Sequence, residues 1–210
     1  MISEVWGELA LYQGYAEKSG VPYQDFNLEY PPLALELFKL ANILGEEWFT
    51  LMWYGMVLIA VLVTCLFIKK MKGKPFHFLA VVLPLGGLFW DRFDIFPAMF
   101  SLGAFYFAVA GSYWALPFLL TGVLLKIYPI ILLPFVIGSL LVRGKITEVV
   151  FGLLVFVCGF ALVYKNHPNW MNCVFGFHGD RGIQIESVRA IPKLINGGEV
   201  IYSHNTFEIK

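Results

Sequence analysis

Residues 95–125 form a run of 31 amino acids without a single formal charge. A second run, residues 48–68, holds 21 more. A helix needs about 20 apolar residues to cross about 30 Å of hydrocarbon. Such runs leave a chain few choices other than a lipid environment. Composition agrees: 59% of the 210 residues are hydrophobic and 14% charged, against about 45–50% and about 25% in a soluble domain. Only seven charged residues fall within residues 75–164: Asp91, Arg92, Asp94, Lys126, Arg143, Lys145 and Glu148. The 15 basic and 15 acidic residues cancel, which gives no support to nucleic-acid binding. Cys65, Cys158 and Cys173 form neither a CxxC nor a metal spacing, and there is no P-loop, GxGxxG or HExxH.

The pattern predicts an all-α, polytopic transmembrane helical bundle of about six short spans. Residues 48–68 are the clearest. Lys69, Lys70, Lys72 and Lys74 follow and mark a cytoplasmic loop. Residues 75–90 return outward. The run 95–125 is too long for one span and breaks at Gly111-Ser112. Residues 130–142 lead inward to a second basic loop, Arg143-Gly144-Lys145, and residues 149–164 lead back out. The division is an outer loop (1–47), a bundle (48–164) and an outer tail (165–210), with both ends on one side. The N-terminal residues lack the basic start of a signal peptide. Within the outer loop, residues 33–44 have helical apolar spacing, with Leu33, Leu37, Leu40 and Leu44 on one side. This predicts a helix lying at the membrane interface. The tail is expected to be irregular at its end.

This parity gathers charged residues on the outer side: Glu8, Asp25, Glu29, Asp91, Arg92, Asp94, Lys126, His178, Arg181 and Glu186. Ionisable groups beside apolar spans are costly and mark sites or pathways. Asp91 and Asp94 suit a helical face or the cap of the next helix. Lys126 is placed either to snorkel or to hold the phosphate of a lipid carrier. Tyr and Trp residues fit an interfacial belt. Around Gln184 the spacing allows helix or strand.

Two blocks, Pro22-Tyr23-Gln24-Asp25-Phe26 and Glu29-Tyr30-Pro31-Pro32-Leu33, resemble the PYxDF and EYPPL signature of the family 87 glycosyltransferases. Three later blocks follow in the same order: Asp91-Arg92-Phe93-Asp94-Ile95-Phe96-Pro97, Lys126-Ile127-Tyr128-Pro129, and Arg181-Gly182-Ile183-Gln184-Ile185-Glu186-Ser187. The resemblance implies a GT-C-like fold in the plasma membrane with an extracytoplasmic active site. It implies transfer of a hexose such as mannose from a polyprenyl-phosphate donor to a lipid-linked or cell-envelope glycan acceptor. No cofactor or metal is called for. The family's catalytic aspartate lies upstream of the first block, where this chain has Glu8. A glutamate keeps the carboxylate and adds a methylene.

On this reading Glu8 is the base, with Asp91 and Asp94 in reserve. Asp25, Glu29, Tyr30, Arg92, Lys126, Tyr128, His178, Arg181, Gln184 and Glu186 bind substrate. Family members are about twice as long, with a helix before this loop and spans after the last block. The chain is therefore expected to be a central portion, its missing helices separately encoded or lost. The alternative is a non-catalytic scaffold or lipid-binding subunit of the same descent.

Overall fold

The computed structural model describes residues 7–180, 182–184, 187–188, 190–203 and 206–209. The chain is mostly helical. Two short helices come first, α1 (Glu8–Glu17) and α2 (Pro32–Ala41). They are joined by a turn in which Tyr23 takes a positive φ of 67°. The long α3 (Phe49–Lys70) follows, entered through a 3-10 turn at Glu46–Trp48. Then come α4 (Pro75–Val82), a 3-10 turn at Leu83–Leu85, and α5 (Gly87–Trp90). The segment predicted as a single span at 75–90 is thus broken. Pro84 cannot supply a helical N–H. Gly86, at φ 53° and ψ −135°, adopts a backbone that suits glycine.

The uncharged run folds as α6 (Ile95–Val109) and α7 (Ala115–Leu125), with the break at Gly111, φ 67°. After Lys126 a 3-10 turn at Tyr128–Leu132 leads into α8 (Leu133–Val142), and then α9 (Ile146–Asn166). Helix α6 packs between α3 and α7, and α7 packs in turn on α9. Small residues permit the close approaches. A Cβ on Gly103 would meet the Phe118 ring at 2.6 Å, and one on Gly152 would meet Leu116 Cδ1 at 2.6 Å.

Two apolar clusters result. One joins α1, α2, the first half of α3 and the start of α6, around the fully buried Tyr12, Phe38, Trp53 and Phe93. The other lies among α6, α7, α8 and α9, around Leu116, Leu119 and Leu140. The helices stay apolar on their outward faces as well. Leu58, Ile59, Leu62 and Leu66 of α3 and Val150, Leu154, Val157 and Leu162 of α9 are exposed. Each of these helices thus has one face in the core and an apolar face turned outward, a pattern that suits a lipid environment. Two helices are long and apolar enough to cross a membrane: Glu46–Lys70, extended by its 3-10 turn, and Ile146–Asn166. The shorter apolar helical stretches, Pro75–Leu85, Ile95–Val109, Ala115–Leu125 and Tyr128–Val142, have 10–17 residues, below the about 20 of a full span.

Helix α2 and the tail add detail to the reading above. Helix α2 buries Ala34, Leu35, Phe38 and Ala41, whereas Leu40 and Leu44 of the expected stripe are exposed. Aromatic burial chose the face: Phe38 stacks on Tyr12 at 4.6 Å between ring centres. The tail also departs from an all-α, irregular end. After α10 (Trp170–Asp180) come β1 (Ile183–Gln184), α11 (Ala190–Ile195), β2 (Val200–Ser203) and β3 (Thr206–Ile209). The strands form an antiparallel sheet in the order β1-β3-β2, with Ile183 opposite Ile209 and Tyr202 opposite Phe207. Their β-branched and aromatic residues suit a half-buried pleat.

Candidate functional site

The fold brings the start of α1, the turn before α6 and the end of α7 to one place. Glu8 occupies the first turn of α1, where a carboxylate is favoured by the helix dipole. One of its oxygens, Oε2, accepts a hydrogen bond from the Tyr12 hydroxyl at 2.9 Å, one helical turn on. The other, Oε1, lies 3.7 Å from Arg92 Nη2. Tyr12 is held by its ring, stacked on Phe38 and edge-on to Phe93 at 5.7 Å. Burial, with Glu8 adjacent, pushes its hydroxyl pKa far up, so it stays a donor.

Asp94 precedes α6 but makes no capping hydrogen bond there. Its Oδ1 instead lies 2.6 Å from Lys126 Nζ, where α7 ends. Lys126 also stands over the Phe93 ring, 5.0 Å from its centre, a cation–π contact. Phe93 itself is buried and edge-on to Tyr30 at 4.9 Å. The Asp91–Asp94 segment therefore reaches the N-terminal loop through Phe93 and Arg92.

A cleft of about 400 Å³ opens beside these groups. Arg92, Asp94, Lys126 and Tyr128 form its polar side, and Phe78, Leu85, Leu88, Phe89, Ile95 and Ala98 its apolar wall. Its polar side is one of paired charges, Lys126 with Asp94 and Arg92 with Glu8, set against an apolar wall. Among the described residues no group of three His, Cys, Asp or Glu side chains converges as a metal-holding set.

Other expected site residues lie elsewhere. Asp91 turns away from Glu8 and Asp94. Its Oδ1 accepts a hydrogen bond from Tyr54 at 2.8 Å, and it borders a different cleft. The Asp25 carboxylate folds back on its own loop, accepting from the Val21 N–H at 2.6 Å. Tyr30 is a packing residue whose carbonyl accepts the Tyr23 hydroxyl at 2.6 Å. Glu29 lies near the Tyr30 hydroxyl, whose pKa burial and this carboxylate raise, and does not line the cleft. His178 lies in α10 and Gln184 in β1, opposite Glu208. Arg181 and Glu186 lie outside the described residues.

Sequence reasoning missed Tyr12, Phe93, Tyr54 and Trp90. Tyr12 was findable, because a residue four after Glu8 shares its helical face. Comparison with protein-family models, curated proteins and solved structures finds no match to the chain.

Proposed function

We infer that the chain is a membrane-embedded glycosyltransferase. It transfers a hexose such as mannose from a polyprenyl-phosphate donor to a lipid-linked or glycan acceptor on the extracytoplasmic face. The observation that carries this reading is the cleft with Arg92 and Lys126 at one side and an uncharged wall at the other. Its shape and chemistry suit an isoprenoid phosphate. The ordered motif blocks quoted above support it from the sequence.

In this reading the bundle is polytopic. Helices α3 and α9 cross the bilayer, and α4, α6, α7 and α8 share the same layer as shorter, tilted elements. The donor's chain lies along Phe78, Leu85 and Leu88, and its phosphate sits between Arg92 and Lys126. These cations exchange their carboxylate partners for phosphate oxygens, a charge-assisted contact of the stronger kind. As the bond from the anomeric carbon to the phosphate oxygen breaks, negative charge grows on that oxygen. Fixed cations lower the barrier where charge develops. Glu8 accepts the proton of the attacking acceptor hydroxyl, its carboxylate oriented by Tyr12.

The test is direct. Membranes or nanodiscs carrying the chain are incubated with radiolabelled polyprenyl-phosphate mannose and a lipid extract as acceptor. Transfer that depends on Glu8 and Lys126 supports the reading. A chain that binds the donor without turnover in every acceptor mixture, even with the neighbouring reading frames co-expressed, is a lipid-binding subunit instead.

A further inference from the structure

The segment containing Asp91 and Asp94 separates two clefts. Asp94 serves the first, with Lys126. The second, a shallower and more open depression of about 410 Å³, is bordered by Tyr54, Gly86, Gly87, Trp90 and Asp91. We propose that this second cleft binds the pyranose ring of a neutral saccharide, with Trp90 and Tyr54 as its aromatic side and Asp91 as its hydroxyl acceptor.

The lining is that of a sugar site. A pyranose presents a face of C–H bonds and a rim of hydroxyls. The C–H face fits the electron-rich face of an aromatic ring, and the hydroxyls need fixed acceptors. The Asp91 carboxylate is such an acceptor. Tyr54 donates to Oδ1 at 2.8 Å and holds it in place, with Oδ2 on the side of Gly87. Two glycines border the cleft and add no side chain to it. Gly86 holds a φ of 53° that side chains disfavour. A Cβ on Gly87 would stand 2.9 Å from Asp91 Oδ2 and would displace the carboxylate. The main chain at Trp90 is anchored, its carbonyl accepting Trp53 Nε1–H at 3.0 Å, and the Trp90 ring packs edge-on against Phe89 at 5.5 Å. None of the five lining residues carries a positive charge, so a neutral ring suits this cleft better than a phosphate.

Asp91 and Asp94 are three residues apart, which keeps their Cα atoms within about 11 Å. The two clefts are thus neighbours. Assigning the second to the acceptor's sugar rests on the glycosyltransferase reading, but the binding of a saccharide does not.

The experiment is ligand-observed saturation-transfer NMR on the chain in lipid nanodiscs, with methyl α-mannopyranoside as the probe. The expected result is millimolar binding, weakened about tenfold or more in Asp91→Asn and Gly87→Ala, since a hydrogen bond to a charged group is lost or misplaced. Trp90→Ala should abolish it and Trp90→Phe should keep part of it, each variant first shown to retain its circular dichroism and thermal transition. Lys126→Ala should bind the glycoside as the parent does. Saturation transfer that is absent in the parent, or undiminished in both Asp91→Asn and Trp90→Ala, overturns the proposal. Because no donor is present, failure of mannosyl transfer leaves this measurement intact, and failure here leaves the donor cleft intact.

Discussion

Glu8 and Lys126 are the two residues whose surroundings make the sharpest chemical demands. Glu8→Gln keeps the shape and the Tyr12 hydrogen bond but cannot take a proton. Transfer should fall by about 10²- to 10⁴-fold, the usual worth of a positioned base, with little change in melting temperature. Tyr12→Phe keeps the buried ring and frees the carboxylate. It should cost about 0.5–1.5 kcal/mol in stability, read by thermal denaturation, and reduce kcat more than it changes KM. Lys126→Ala removes an ion pair whose side chains are both about a third to a half exposed. Stability should move by no more than about 1 kcal/mol, whereas donor binding should weaken at least tenfold, since a phosphate contact is charge-assisted. The buried tyrosines of the N-terminal cluster also set a pH limit. Burial pushes Tyr15 up to about 12 and raises Tyr12, Tyr23 and Tyr30 as well. The unfolded chain ionises near pH 10, so above that pH it binds fewer protons than the folded one. Stability of this cluster is then complete below about pH 10 and falls as pH rises. Ultraviolet titration of tyrosinate should show these four groups ionising together with loss of structure.

At the level of elements, packing of α7 on α9 depends on Gly152. A methyl there would meet Leu116 at both Cδ1, 2.6 Å, and Cβ, 2.9 Å. Leu116 is fully buried and has nowhere to go. Gly152→Ala should therefore cost about 1–3 kcal/mol through overpacking, while the same change at Gly138, where nothing lies within 4 Å, should be close to neutral. Thermal stability in detergent separates the two. The same elements mark what the sequence could disclose. The long α3 and α9, the break at Gly111 and the turn after Lys126 were readable from charge-free runs and their punctuation. The face of α2 was not, because a leucine stripe and an aromatic partner compete, and only the partner's position decides. The breaking of residues 75–90 was signalled by Pro84 and two glycines but outweighed by their apolar neighbours. The strands at the end were hidden because two to four residues carry too short a period. Within the site, Arg92 and Lys126 were legible as rare cations beside apolar runs. The parting of Asp91 from Asp94 was not, since the turn between them sets which cleft each faces.

Across the whole molecule the charges divide between two ends. Phe67, near the end of α3, packs its ring on Phe107 at 5.9 Å, and a Cβ on Gly111 would meet the Lys145 side chain at 3.0 Å. The two basic loops and the α6–α7 turn therefore lie at the same end. Trp53 and Tyr54, near the start of α3, reach Trp90 and Asp91. His167, just after α9, meets the Tyr23 ring at 5.8 Å. The N-terminal loop, both clefts and the end of α9 thus share the opposite end. Basic loops stay on the cytoplasmic side because translocating lysines and arginines is disfavoured, so the clefts are expected outside. Single cysteines placed at Gly20 and Lys72, in a chain whose own three cysteines are replaced by serine, should label from opposite faces of intact cells. A membrane-impermeant maleimide should reach position 20 before lysis and position 72 only after it. Labelling of both positions from one face would break the link between the bundle's charge asymmetry and its orientation, and with it the placement of the donor cleft on the extracytoplasmic side.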